Sequence, residues 1–312
     1  MTARYELLIL SYSAGQESSA LLHEWRFNPE FRAAYSCNRF VVVMSDTQDE
    51  HGHTYQEVER VRGICAVEGI EFYFITESAE REGVSGYHPQ SWPGLIQFYE
   101  RTTTIGSKAY PKSCTDNLKV TPIYNLIEEK LYEWYPQLIG PGKAGRKQAF
   151  HRFSRWFGQG KLGVMIGIAR GEEKRIKKSV TGKKWFDENV TRLFPLIDYF
   201  GWSREDCQAA IARRGEPVPY PSYCQRCPFA TMPEILWLWR FKRAEYEEWV
   251  VLEAAKIDKW AALGQEPDKN IGVFPGQRLP QVLVAAQRLY GHLSDQELDA
   301  LKQAGHCVAS VY

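Results

Sequence analysis

Apolar positions in the first half of the chain come in short, unbroken runs rather than in alternation. Residues 7–10, 39–44 (with the core FVVVM), 70–76 and, further on, 162–169 each read as a strand buried on both faces of a parallel sheet. Between the runs the period changes to that of a helix. One helix is expected over 17–25, stopped by Asn28-Pro29, and a second over 55–68, where Val58, Val61, Ile64, Cys65 and Val67 fall mostly along one stripe. A third is expected over 123–134. Residues 194–198 read as a short fifth strand, with Ser203 placed to cap the helix behind it. Strand, helix and strand in this rhythm predict an α/β fold: a doubly wound, five-stranded parallel sheet. From residue 232 onward the pattern is helical throughout. The chain is therefore expected to divide into an α/β domain over 1–230, which includes a cysteine cluster, and a helical C-terminal region over 231–312 whose aromatics pack rather than recognise.

Length and composition allow that core: 312 residues, 44% of them hydrophobic. No apolar segment approaches the ~20 residues needed to span a bilayer. The N-terminus also lacks a basic region followed by a long apolar one, so a cytoplasmic protein without membrane partners is expected. Seven cysteines, an odd number, point to metal binding or redox chemistry for some of them rather than to a disulfide framework. Cys37, Cys65 and Cys207 read as core residues. The net charge of +1 conceals a strong asymmetry, because between Lys143 and Lys184 thirteen Lys or Arg face only Glu172 and Glu173. Interleaved with His151, Phe153, Trp156, Phe157 and Trp185, this block has the make-up of a polyanion-binding surface that also stacks bases; the alternative is a solvated loop.

Three stretches carry candidate chemistry. After the first apolar run the chain turns to Ser11, Ser13, Ala14 and Gly15 and then to a helix, so consecutive N–H groups and the positive end of a helix dipole are presented together, a natural seat for phosphate. The second run ends in Ser45-Asp46-Thr47-Gln48-Asp49-Glu50, where open α/β sheets bind ligands. Cys224-Gln225-Arg226-Cys227, after a proline-rich turn, puts two thiols within reach of one metal or cluster; alone it suits zinc or a redox dithiol equally. His88 is a further candidate substrate contact.

Ser13-Ala14-Gly15-Gln16-Glu17-Ser18 resembles the S-G-G-x-D-S loop of the PP-loop ATP pyrophosphatases, with Ala14 in place of a Gly and Glu17 in place of the Asp. That group includes the phosphoadenosine-phosphosulfate reductases and the sulfur-inserting enzymes of tRNA and DNA. Four further segments follow in the family's order. Asp46-Thr47-Gln48 is similar to a D-T-G stretch near the adenosine, with Gln48 in place of Gly. Cys114 to Pro122 is similar to C-x-x-x-x-K-[IV]-x-P. The segment after Ala169 is similar to R-x-x-E-S-x-x-R, and Pro195 to Asp206 to P-L-x-x-W-x-x-x-D/E. Cys114 with Cys224 and Cys227 then resembles the C…C-x-x-C-P-F arrangement of the iron-sulfur members.

The resemblance implies an adenine nucleotide alpha hydrolase-like fold. It implies that ATP lies on Ser13, Ala14, Gly15, Gln16, Glu17 and Ser18 with Asp46 nearby, and that Mg²⁺ offsets the phosphate charge. Lys119, Arg170, Lys174 and Arg175 would act on the phosphates. Cys114, Cys224 and Cys227 would hold a four-iron (4Fe-4S) cluster, with zinc as the alternative. The activity it implies is ATP-dependent sulfur transfer, adenylation then thiolation, to a nucleic acid (tRNA or DNA) or a nucleobase. A sulfur donor such as a cysteine desulfurase would be a second partner. Two alternatives stay open. One is a sulfonucleotide reductase using Cys307; the other is a zinc-stabilised nucleic-acid-binding protein without ATPase activity.

Overall fold

The computed structural model describes residues 3–76, 94–108, 113–140, 147–178, 184–264 and 272–305. The expectations placed on His88, Lys143, Arg146, Lys183 and Cys307 lie outside the described residues.

The apolar runs are strands. In chain order the larger elements are β1 (Tyr5–Ser11), α1 (Gln16–Phe27), β2 (Cys37–Ser45), α2 (Gly52–Glu68), β3 (Glu71–Ile75), α3 (Leu95–Thr102), α4 (Thr121–Trp134), α5 (Gln148–Phe157), β4 (Leu162–Ile166) and β5 (Thr191–Leu193). The helices α6 (Arg204–Arg213), α7 (Met232–Phe241), α8 (Arg243–Ala262), α9 (Leu279–Tyr290) and α10 (Asp295–Ala304) complete the chain. All five strands pair in parallel in the order β3-β2-β1-β4-β5. Because side chains alternate across a strand, Leu7 and Ile9 face a core closed by α4 and α5, while Leu8 and Leu10 face one closed by α1, α2 and α6. Cys65 and Cys207 are wholly buried there, as expected of small core residues.

The fifth strand is a correction. It occupies Thr191–Leu193, not 194–198; Pro195–Asp198 is a helical turn. Pro195 has no N–H to give to the ladder and a fixed φ suited to a first helical position, so it ends the strand. The fourth strand likewise stops at Ile166, three residues earlier than the apolar run.

The basic block is ordered rather than a loop where it is described. Its α5 buries Phe150 and Phe153 completely against the sheet, and Phe157 and Trp185 pack on the same core. Of the aromatics expected to stack bases, Trp156 stands in solvent, 63% exposed.

A third core unites α7, α8 and α9 with Leu95 and Tyr99 of α3 and with Leu118. Cys114 and Cys224 pack against it, so the helical region forms one wall of the cysteine site. No helix among the described residues is long and apolar enough to cross a membrane.

Candidate functional site at the sheet switch point

The strand order reverses direction between β1 and β4, and in open α/β sheets the crevice beyond the carboxyl ends of such a pair is where ligands sit. A cavity of about 270 Å³ opens there. Its lining has a charged set, Ser13, Glu17, Arg175 and Arg204, and a thiol set, Cys114, Cys224 and Cys227 with Leu95, Tyr99 and Phe229; Lys119 and Thr47 line it as well.

Close packing joins the segments that carry these residues. A Cβ on Gly15 would come within 3.1 Å of both the backbone N and the Cβ of Ser222, two residues before Cys224. One on Gly167, where β4 leaves the sheet, would lie 3.0 Å from Ser18 N. Both are glycines because backbone meets backbone there.

Of the expected nucleotide contacts, Ser13 and Glu17 line the cavity, whereas the buried Ala14, Gly15, Gln16, Ser18 and Asp46 do not. The Ser18 hydroxyl is engaged inside the loop, with Ser13 N at 3.1 Å, Ser13 Oγ at 3.0 Å and Gly15 O at 3.2 Å. Gln16 is fully buried and holds distant parts together: its Nε2 donates to Pro219 O and to Gln303 O, both at 3.0 Å, and its Oε1 accepts from Gln208. Asp46 accepts from Gln48 N at 2.8 Å and from the Tyr55 hydroxyl at 3.0 Å; burial is the main reason its pKa is pushed up to about 6. Of the expected cations, Lys119 and Arg175 line the cavity. Arg170, 63% exposed and 3.6 Å from Asp206, does not, and Lys174 is exposed.

Lys119 sits on a short π-helical stretch, Asp116–Val120, that runs into α4. Such irregular turns recur at functional sites, and here the Ser45 hydroxyl takes Leu118 O at 2.6 Å. Lys119 Nζ donates to Glu50 Oε1 at 2.9 Å. Burial works against the ammonium, but Glu50 and then Cys224 outweigh it and hold the pKa above that of an ordinary lysine.

All three thiols act on one hydroxyl. Burial first, then Cys114, Cys224 and Cys227 in turn, raise the Tyr99 hydroxyl well above its usual pKa. Cys224 Sγ lies 3.2 Å from Thr47 Oγ1 and 3.7 Å from Glu50 Oε1; burial, then Glu50, raise its thiol well above the usual range. Glu50 Oε2 is buried without a hydrogen-bond partner beside them. Among the described residues no three His, Cys, Asp or Glu side chains are gathered closely enough for one metal ion.

Three residues that sequence reasoning did not single out complete the site: Glu50, Arg204 and Tyr99. Glu50 stood at the end of an acidic strand terminus, which was its one signal.

Two backbone positions bear on the loops themselves. Ala14 has φ 56° and Gln48 φ 58°, the left-handed region that favours glycine. Gln48→Gly should therefore raise stability by about 0.5–1 kcal/mol, the relief of strain exceeding glycine's entropic penalty. Ala14→Gly should be close to neutral, since a fully buried methyl is lost as well. Urea unfolding of both variants tests the pair, and a destabilised Gln48→Gly would refute the strain.

Comparison of the chain with protein-family models and with curated proteins gives no match. What fold and site define together is a doubly wound α/β protein with a charged loop and a cysteine-lined cavity at its switch point.

Proposed function

We propose that this chain is an ATP-dependent sulfur-transfer enzyme of the PP-loop kind, acting on a nucleic acid or nucleobase. One observation carries the reading. Ala14 and Gln48 stand where the resembled motifs have glycine, and both adopt the left-handed backbone that glycine provides. A glycine would adopt that backbone without strain at either position, which is what supports setting these two loops beside the two motifs. Strained backbone persists where the surroundings impose it, and such positions cluster at ligand sites.

In this reading the N–H groups at the start of α1 and the Ser13 hydroxyl hold phosphate oxygens, with Arg175 reaching them from the β4 side and Mg²⁺ offsetting charge. Lys119, kept charged by Glu50, faces the substrate between the phosphates and the thiols. A substrate oxygen attacks the α-phosphate to give an adenylate, and pyrophosphate leaves. Cys114, Cys224 and Cys227 are the residues that would hold an iron-sulfur cluster. When bound, that cluster would supply the sulfur-handling chemistry.

An anaerobic preparation tests the proposal. Expected are a brown chromophore containing iron, its loss in Cys224→Ala, and pyrophosphate release from ATP that depends on added tRNA or DNA. A colourless protein with one zinc per chain and no pyrophosphate release would overturn it in favour of a zinc-stabilised binding module.

A further inference from the structure

Where a phosphate would rest at the start of α1, the chain has put a carboxylate of its own. Glu17 is the second residue of the helix, an acidic side chain in its first turn and only 13% exposed at the cavity wall. The dipole that favours an anionic ligand there favours this carboxylate too. Glu17 Oε1 is gripped by Arg204 Nε at 2.5 Å, and Arg204 is itself 15% exposed. Arg204 Nη2 reaches Glu172 Oε1 at 3.3 Å, and Glu172 binds Arg175. Acids and cations thus alternate: Glu17, Arg204, Glu172, Arg175. Both arginines line that cavity. Behind Arg204 stands Gly305, so close that a Cβ there would come within 2.9 Å of Nη1.

We infer that Arg204 is a phosphate-binding residue and that Glu17 is its built-in stand-in for the phosphate, displaced when a polyphosphate enters. The inference rests on the reading of this loop as a nucleotide site and adds to it the residue that grips the anion and the residue that competes with it. A planar guanidinium already offering its donors to two carboxylates offers the same fork to phosphate oxygens. Removing the Glu17 charge without changing its shape frees Arg204 Nε and leaves only Glu172 on Nη2, so binding of anions tightens. If Glu17 served the ligand instead, for instance by holding Mg²⁺, its neutralisation would weaken binding.

The test is calorimetric titration of wild type, Glu17→Gln, Arg204→Met and Arg204→Lys with ATP and, separately, with inorganic pyrophosphate, in EDTA and again with Mg²⁺. Without Mg²⁺, Glu17→Gln should bind both probes at least about tenfold tighter, because a like-charge contact is removed. Arg204→Met should bind both at least about tenfold more weakly, and Arg204→Lys should recover part of the loss. Equal ratios for the two probes place the effect at the phosphates. Unchanged or weaker binding in Glu17→Gln, or unchanged binding in a folded Arg204→Met, would overturn the inference while leaving the nucleotide site standing. If neither wild type nor Glu17→Gln binds either probe, the inference and the reading beneath it fall together.

Discussion

Arg226→Ala should lower stability by about 3–5 kcal/mol, the usual consequence of removing one partner of a buried ion pair. Arg226 lies inside the C-x-x-C turn and is 5% exposed. Its backbone N donates to Asp49 Oδ2 at 2.9 Å, and its guanidinium binds Asp49 and Glu248. Gln225 N donates to Asp49 O at 2.6 Å, and Glu50 and Cys224 pair as an isolated bridge. One arginine therefore fastens the turn that carries Cys224 and Cys227 to the loop after β2 and to α8. Burial pushes the Asp49 carboxyl up to about 7 even with Arg226 opposing it, so without the guanidinium Asp49 must either take up a proton or stay buried with no compensating charge, a cost in both cases. Adding Asp49→Asn to Arg226→Ala should recover a large part of the loss, since the amide needs no counter-ion. Urea unfolding of the two single variants and the double measures this. A loss below about 1 kcal/mol for Arg226→Ala, the range of an exposed pair, would show that the pair contributes nothing beyond surface electrostatics.

The sheet was legible because strands buried on both faces leave continuous apolar runs, and β1 and β2 lie almost where those runs do. β5 was not legible: three residues, Thr-Arg-Leu, at the edge of the sheet carry too little apolar pattern, and the stronger run beside them contains Pro195. The candidate site divides in the same way. Loops and thiols announce themselves by composition, whereas Lys119 was marked only by the resemblance of its segment to a family motif. Glu50 and Arg204 acquire their roles from partners far along the chain, Cys224 being 174 residues from Glu50 and Arg204 187 from Glu17. No local pattern encodes such distances. Gln16 shows the converse: a residue inside the expected nucleotide motif spends its whole side chain on Pro219, Gln303 and Gln208. Ala14 and Gln48 read in sequence as departures from the resembled motifs, and in the structure both hold a positive φ, a backbone state that no sequence pattern of alanine or glutamine announces.

Between about pH 7 and pH 10.5 a single buried lysine should contribute a gain in stability of up to about 4 kcal/mol, read as the difference between wild type and a variant without it. Lys302 of α10 is 2% exposed, with Nζ 3.9 Å from the Trp237 ring centroid, 5.3 Å from that of Tyr223 and 5.5 Å from that of Tyr220. Its ammonium has aromatic faces around it but no hydrogen-bond acceptor. Burial lowers its pKa to about 7, with Glu234 of α7 and Asp299 of its own helix opposing the shift. His51 and His53, on the α2 side of the same cluster, are held neutral: burial first and then Lys302 lower them to about 2 and about 3. Unfolded, the lysine keeps its proton up to about pH 10.5, whereas folded it gives the proton up near 7. Across that window the unfolded state binds more protons, so raising the pH favours the fold. The consequence reaches the candidate site, because Asp299 beside Lys302 accepts from Tyr220 Oη at 2.7 Å and Trp237 Nε1 at 2.9 Å, holding α10 on the loop that leads to Cys224. Lys302→Met keeps the length and removes the charge. It should be more stable than wild type by a few kcal/mol at pH 7 and should converge with it toward pH 10.5. Urea unfolding of both proteins at pH 7, 8, 9 and 10 gives the difference directly, free of Lys108 and Lys256, whose pKa values burial also lowers. Two parallel curves would mean that Lys302 stays protonated in the folded protein across the whole range.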